Sequence, residues 1–191
     1  MSDISVMTET TAMNDLPAAV RRFVLNWGDM GGQWGTNRSV SQIHALLYLS
    51  ERPLTAEEIA EKLAMARSNV SNSIKDLQSW GLVRRVPIMG DRRDHFEADG
   101  DIWSIAAKIV AGRKARELDP ALATLTACAA DAKNDPKLHP VAVARLNAML
   151  EFTTTMNGWY EQMAAVPRPA LMALIRLGGR IVRYLPARKT K

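Results

Sequence analysis

Residues 55–98 carry the pattern that most restricts the fold, because two helices, a turn and a basic hairpin follow one another there without a gap. Residues 55–58, Thr-Ala-Glu-Glu, fit a capping box, in which the hydroxyl of Thr55 accepts from the amide of Glu58 and the carboxylate reaches back. The short helix that the box opens is followed by a brief turn and a longer helix at roughly 67–80, which Gly81 ends. This order predicts a helix-turn-helix.

The hairpin is predicted from two strand-like runs around a turn-rich segment. Residues 82–86 predict the first strand, residues 87–93 an exposed basic tip, and residues 94–98 the returning strand. Together with the two helices, this hairpin predicts a winged helix-turn-helix, which places one helix in the major groove of DNA and the hairpin against the neighbouring groove or backbone.

The helix at 67–80 has two distinct faces at about 100° per residue. Val70, Ile74 and Leu77 form the face that we expect to pack. The opposite face carries small polar groups, one amide and one cation, with Arg67 and Asn69 at its sides: Ser68, Ser71, Asn72, Lys75 and Ser79. Such side chains approach base edges and phosphates without steric conflict. The alternative, an ordinary amphipathic helix with a solvated polar face, is disfavoured by the basic hairpin that follows.

The wing supplies guanidinium groups at Arg92 and Arg93, which can enter a narrow minor groove or fork onto phosphates. We expect Asp91 to hold the turn by accepting from backbone amides, or to orient one of the arginines. Arg84 and Arg85 alternate along their strand, so one of them faces DNA, and we include Arg84 among the predicted contacts. The alternative is a solvated hairpin tip.

The remainder of the chain predicts helices, so the fold class is mostly α with a small β-hairpin wing (α+β). Pro17 opens a first helix whose glycines predict a bend or close packing, and Ser39 or Ser41 can cap a second. Further helices are predicted at 101–117, 119–133, 138–164 and 168–184. The predicted organisation is a disordered lead-in at 1–15, a DNA-binding domain at 16–100, a helical dimerisation or regulatory region at 101–185 and a basic tail at 186–191.

Composition limits the class of protein. The net charge of +5 fits nucleic-acid binding but is also common in proteins that bind none. The single cysteine, Cys128, excludes an intrachain disulfide, favours a reducing compartment and is expected to be buried on a helix. We expect a cytoplasmic protein with no membrane segment, because no long apolar run and no signal peptide are present.

Enzyme chemistry is not indicated. The histidines lie far apart and lack metal-ligand spacing with the cysteine, and neither a glycine-rich phosphate loop nor a nucleophile elbow occurs. We therefore predict no catalytic activity, no metal and no cofactor.

Four segments resemble the GbsR-like branch of the MarR superfamily over residues 16–118. They are residues 25–35 with their Trp-Gly pairs, residues 42–49, residues 66–83 with the Trp80-Gly81 junction, and the Gly-Asp-Arg-Arg run at 90–93. One departure is Ala66, at the expected N-cap, where relatives often have serine. Since alanine cannot cap through its side chain, the sequence fixes the first residue of the following helix only to within one turn.

The resemblance implies a homodimeric regulator, a repressor by expectation, that binds a pseudo-palindromic operator in double-stranded DNA. By motif, the DNA-facing part of the recognition helix matches Arg67, Ser68, Asn69, Ser71 and Asn72, and the wing matches Asp91, Arg92 and Arg93. Some relatives respond to choline-type precursors, so a quaternary amine is a candidate effector. The alternative function is a winged-helix protein–protein interaction module without specific DNA binding.

A two-fold operator requires a two-fold protein, and the helices at 138–184 are the predicted dimer interface. The alternative is that these helices complete a monomeric core. The C-terminal stretch from Arg168 is rich in cations, and either phosphate contacts or a solvated tail fit it. Six aromatic residues are candidates for an effector cage by type only, and we assign no effector site: Trp27, Trp34, Tyr48, Trp103, Trp159 and Tyr160.

Overall fold

The structure, a computed structural model, describes residues 15–180. The predicted lead-in at 1–15 falls almost wholly outside the described residues, as does the basic tail at 186–191. The chain divides into two compact units between Gly112 and Arg113.

The first unit contains five helices and a three-stranded antiparallel sheet of order β1-β3-β2 within the described residues. The helices are α1 (Ala18–Gln33), α2 (Arg38–Tyr48), α3 (Ala56–Leu63), α4 (Arg67–Ser79) and α5 (Ile102–Arg113). The strands are β1 (Leu54–Thr55), β2 (Val83–Ile88) and β3 (Asp91–Ala98). The predicted fold class, mostly α with a hairpin wing, is confirmed, and β1 is a strand that the sequence did not predict.

Helix α2 forms the centre of the first unit, because every residue from Val40 to Leu47 is buried. Ile43 and Leu46 lie in one core with residues from α3, α4 and β3, among them Ile59, Ile74 and Phe96. The N-cap of α2 is Asn37, whose Oδ1 accepts from the Ser39 amide at 2.8 Å, so the predicted serine caps are wrong. The hydroxyl of Ser39 instead accepts from Asn69 of α4 at 3.0 Å, and the side chain of Ser41 packs against Gly31 of α1.

The glycines of α1 permit close packing on α2, and α1 runs without a break. A Cβ on Gly28 would lie 2.5 Å from the Cγ of Gln42, and one on Gly31 would overlap the hydroxyl of Ser41. A Cβ on Gly32, one residue further along, would meet nothing within 4 Å. Of the two outcomes that the glycines predicted, close packing is therefore the one observed.

We expect Gly31→Ala to lower the free energy of unfolding by about 1–3 kcal/mol, because the new methyl overlaps a buried serine. Gly32→Ala is the matched control and should raise it by up to about 1 kcal/mol, since alanine is the better helix former in open space. Urea denaturation of both variants checks the pair. Equal effects would contradict the packing of α1 on α2.

The capping box at the start of α3 is present as predicted. The Thr55 hydroxyl accepts from the Glu58 amide at 3.2 Å, and the Thr55 amide donates to Glu58 Oε2 at 2.8 Å. Arg52 also donates to Glu58 at 2.5 Å, and this hydrogen bond is the largest cause of a Glu58 pKa lowered to about 2. The carboxylate therefore stays ionised, which keeps the start of α3 and the chain before β1 tied together.

Helix α5 packs with the first unit. Ile105 is fully buried in its core, and Gly112 lies so close to Trp80 that a Cβ there would be 2.6 Å from the indole ring. Asp99, directly after β3, accepts from Lys108 at 2.8 Å and from Ser104 at 2.6 Å, and these two bonds, that of Lys108 first, hold the pKa of Asp99 well below its usual range. Residues 102–112 thus extend the compact unit beyond the predicted boundary at 100.

The second unit, in its described residues, begins with one wider π-helical turn at Lys114–Leu118 and continues with three helices. These are α6 (Asp119–Ala132), α7 (Pro140–Ala165) and α8 (Arg168–Leu177). Helices α6 and α7 pack on each other through small residues, Ala129, Ala132 and Thr153, which are the ones buried. Cys128 is exposed, so its predicted burial is wrong: it precedes the packed face of α6 by one residue.

No helix between residues 15 and 180 combines the length and the apolar character that crossing a membrane requires.

Candidate nucleic-acid interface

Helix α4 presents the two faces that the sequence predicts. Val70, Ile74 and Leu77 are buried, and Ser73 joins them. The outer face carries four exposed side chains and one half-buried one: Ser68, Asn72, Lys75 and Ser79, with Ser71 half-buried. Asp76 is exposed as well, at the edge of this face. The helix therefore offers short polar groups to solvent along most of its outer side.

The start of α4 is at Arg67, with Ala66 as an N-cap that makes no side-chain capping bond. The first turn also holds no acidic residue. The preceding turn is tight, because Ala64 ends α3 in the left-handed region at φ 51°. Arg67 forms an ion pair with Glu57 of α3, so its guanidinium is anchored beside the first turn.

Asn69 has a different neighbourhood from the other predicted contacts. Its Nδ2 donates to the hydroxyl of Ser39 at 3.0 Å, and its Oδ1 accepts from Ser73 at 3.4 Å. Asn69 is half-buried and ties α4 to the start of α2. A contact of Asn69 with DNA stays a prediction, whereas its bond to α2 fixes where α4 sits.

The wing turns at Met89 and Gly90, the latter at φ +84°, where glycine is favoured. The prediction that the tip spans 87–93 is wrong, because β2 extends to Ile88 and β3 begins at Asp91. The physical reason is Pro87, which lies at an irregularity in the pairing of β2, an edge strand where a missing N–H costs no ladder bond. Arg92 and Arg93 thus project from a strand instead of a loose turn.

Asp91 holds Arg93 by three kinds of bond. Its Oδ1 accepts from the Arg93 amide at 2.9 Å and from Nε at 3.0 Å, and its Oδ2 accepts from Nη2 at 2.5 Å. The guanidinium and then the amide hold the pKa of Asp91 well below its usual range, and the carboxylate in turn raises the pKa of Arg93. Both predicted functions of Asp91, bonding a backbone amide and orienting an arginine, are present in this one arrangement.

The two arginines of β2 lie on different sides of the hairpin. Arg84 pairs with Glu97, and it lines a small recess together with Lys108. Arg85 pairs with Asp94 at 2.5 Å and faces α4. The structure therefore places Arg85 on the side of the hairpin that faces α4. The alternation of side chains along the strand could not decide which arginine lies there. Contact of Arg84 with DNA stays a prediction.

A cleft of about 570 Å³ lies between α4 and the wing. Five cations line it against two carboxylates: Arg67, Lys75, Arg85, Arg92 and Arg93 against Glu57 and Asp94. Ser71 and Gln78 of α4 complete its polar wall, and Gln78 is not among the predicted contact residues. Among the described residues, neither Arg92 nor Lys75 forms an ion pair, so both charges are available to an anionic partner.

The candidate effector aromatics include one ring cluster between α1 and α2. Trp27 stacks on Phe23 with centroids 5.4 Å apart, and the ring of His44 lies between Trp27 and Tyr48. Burial lowers the pKa of His44 to about 4, and its Nε2 has no hydrogen-bond partner among the described residues. In the second unit, the ammonium of Lys114 lies 5.8 Å from the ring of Tyr160. No effector site is assigned.

Residues 34–94 match the model of the MarR family. The matched residues make up about a third of the chain, and over this segment the chain is similar to proteins of that family. The matched segment contains helices α2, α3 and α4 and the wing as far as Asp94, and every residue that lines the cleft except Phe96 lies in it. The predicted resemblance to the MarR superfamily is thereby confirmed.

Two comparisons with whole proteins agree with the match. The HTH-type transcriptional repressor GbsR of Bacillus subtilis (strain 168) is 24% identical over 98 residues, which are 51% of this chain and 54% of that protein. The chain thus spans about half the length of that curated relative. A solved structure of a transcriptional regulator has 18% identity, covers 76% of this chain and 95% of its own, and superposes with a TM-score of 0.60, which shows the same fold.

Proposed function

We propose that the chain is a sequence-specific DNA-binding transcriptional regulator, a repressor that acts as a homodimer on a pseudo-palindromic operator. The observation that carries the proposal is the cleft between α4 and the wing, where cations outnumber carboxylates beside an exposed polar helix face. Its supports are the MarR-family segment and the similarity to a protein named as a transcriptional repressor.

We assign base contacts and phosphate contacts to different residues according to the chemistry of their side chains. Ser68 and Asn72 are exposed on the outer face of α4 and read base edges in the major groove, as short hydroxyls and amides do. Lys75, Arg92 and Arg93 neutralise phosphates or enter the minor groove, which sets affinity and register on the duplex.

We expect Asn72→Ala to relax sequence preference, with a loss of about 1–3 kcal/mol confined to one base pair of the half-site. The physical reason is that an exposed amide can bond two atoms of one base, whereas a phosphate contact is blind to sequence. Binding to duplexes with single substitutions measures the change. Equal losses on operator and random DNA would contradict a base-reading role for this residue.

The proposed dimer uses an apolar stripe along α7, consisting of Met149, Phe152, Met156 and Trp159. Their spacing of three, four and three residues is that of a helix–helix seam. All four side chains are exposed, between 42% and 63% of their area, although they are large and apolar. A second copy of the chain would cover them and would supply the two-fold symmetry of a palindromic operator.

The proposal is tested by incubating the full chain with fragments of genomic DNA and sequencing the bound fraction. We expect a palindrome whose half-sites lie about one helical turn apart. A chain with Lys75→Ala and Arg92→Ala is the control and should recover no motif, because both unpaired cations of the cleft are gone. No enrichment with the wild-type chain would contradict the proposed function and favour a protein-interaction module.

Release by a small molecule is part of the proposed function. Repeating the selection with choline and related quaternary amines tests it, and fragments lost only in the presence of one amine would identify the effector. Unchanged recovery with every amine would contradict this class of ligand.

A further inference from the structure

His95 lies buried at the base of the wing, with only 4% of its surface exposed. It belongs to β3, the central strand, and its register partners are Thr55 in β1 and Val86 in β2. Its ring Nδ1 is 3.1 Å from the carbonyl oxygen of Arg93, and its Nε2 is 3.5 Å from Oδ2 of Asp91. The same carboxylate holds the Arg93 guanidinium, so His95, Asp91 and Arg93 form one connected group.

Both ring nitrogens of His95 therefore face oxygen acceptors. A neutral imidazole carries one N–H, so either tautomer turns one nitrogen lone pair towards an oxygen atom. The imidazolium carries two N–H groups and can donate to the carbonyl and to the carboxylate together. Only the protonated ring can therefore donate to both acceptors at once.

We propose that His95 is a positioning residue of the wing, and that a proton on His95 holds Asp91 and Arg93 in the orientation that binds DNA. The proposal rests on the proposed function, since it concerns how the same interface is tuned. His95 acts through Asp91 and does not itself touch the duplex. The consequence is a DNA affinity that increases as pH falls through the range in which histidine titrates.

The sign follows from two effects that act in the same direction. A proton on His95 adds a positive charge below a surface that faces phosphates. It also offsets the negative charge of Asp91, which otherwise opposes binding and is compensated by Arg93 alone. Protonation therefore favours the bound state, and binding takes up at most one proton at this site.

Asp91 is the acidic residue that contacts the ring of His95. The register partners of His95 in β1 and β2 are uncharged. On α3, the negative charges of Glu57 and Glu58 raise the pKa of Arg93. Glu57 forms an ion pair with Arg67, and Glu58 forms one with Arg52. The pair Arg85 with Asp94 spans the hairpin. Helix α2 also contacts β3 and carries three titratable groups, Arg38, His44 and Tyr48. Arg38 is paired with Asp29 of α1.

The binding experiment measures fluorescence anisotropy of a labelled mixed-sequence duplex with the full chain at pH 6, 7 and 8 and constant ionic strength. We expect the wild-type affinity to rise about three- to tenfold from pH 8 to pH 6. His95→Gln should bind with little pH dependence, because its carboxamide can donate to Asp91 but does not titrate. His139→Asn is the matched control: it removes a histidine from the N-cap of α7, keeps a capping acceptor and should retain the wild-type slope.

A second measurement follows the His95 ring by NMR without DNA and so separates this proposal from the proposed function. We expect the ring nitrogen resonances of His95 to move in Asp91→Asn at pH 6, because the ring loses its carboxylate neighbour. Unchanged ring resonances, or a His95→Gln chain with the wild-type pH dependence of binding, would overturn the proposal. A wild-type chain that binds no duplex at any pH would contradict the proposed function alone, and the ring resonances would still decide whether His95 is coupled to Asp91.

Discussion

Replacing Arg93 with alanine is expected to weaken binding to every DNA sequence by about ten- to a hundredfold, the loss of one charge-assisted contact. It should also reduce the slope of log K against log salt by about 1. The effect is large because Asp91 accepts from Nε and Nη2 of the guanidinium and from the Arg93 amide, so the side chain loses little freedom when it binds a phosphate or enters a groove. Anisotropy titrations on operator and random duplexes at several salt concentrations measure both quantities.

Arg84→Ala is the comparison for this variant, because it removes the same charge from the same hairpin. Arg84 pairs with Glu97 and lies in a recess beside Lys108, whereas Arg93 lines the cleft. Because Arg84 is itself a predicted DNA contact but lies outside the cleft, we expect a smaller loss of affinity and a smaller change in the salt slope than for Arg93→Ala. Equal losses for the two variants would place the DNA contact on both sides of the hairpin and contradict the cleft as the binding surface.

The elements of the winged helix were predictable because their signals are local. The capping box at Thr55 and Glu58, the helical spacing of Val70, Ile74 and Leu77, and the glycine after α4 are each read within a few residues. The backbone geometry of the turn between α3 and α4 could not be predicted from the sequence. Ala64 takes a left-handed conformation that its residue type does not suggest.

Features that depend on distant parts of the chain were not predictable in the same way. Strand β1 has two residues and exists because Leu54 and Thr55 pair with β3, some forty residues later. A helical wheel gives the angle of Asn69 but not its neighbour Ser39, thirty residues earlier. Strand alternation separates Arg84 from Arg85, yet only the packed position of α4 decides which of them lines the cleft.

In the wing, Pro87 and Gly90 led to a wrong prediction of where the strands end. Pro87 together with Gly90 predicts a long turn, since both residues interrupt regular structure. In the fold, β2 is an edge strand, and Pro87 lies at its irregularity without breaking the hairpin. The consequence for function is substantial, because strand geometry gives Asp91, Arg93 and His95 their fixed relation.

Replacing Phe152 with glutamate is expected to convert the dimer to monomers and to weaken operator binding by roughly a hundredfold or more, since two linked half-site contacts become independent. Phe152 is 63% exposed in the single chain, so a charge there should leave the helix intact. In the proposed dimer it would be buried against the second copy, where an unpaired carboxylate is costly. Sedimentation velocity measures the mass, and circular dichroism checks the helix content.

Thr154→Glu tests whether the loss of the dimer in Phe152→Glu depends on the position of the new charge in the stripe or on the added charge alone. Thr154 is exposed on the same helix but lies about 200° around it from Phe152, on the side away from Met149, Met156 and Trp159. It should remain dimeric and bind the operator as the wild type does. Trp159→Glu, in contrast, should reproduce the monomer, because Trp159 is 56% exposed on the same stripe as Phe152. Dimers that persist in both stripe variants would place the two-fold interface elsewhere and leave the stripe of α7 without its proposed partner.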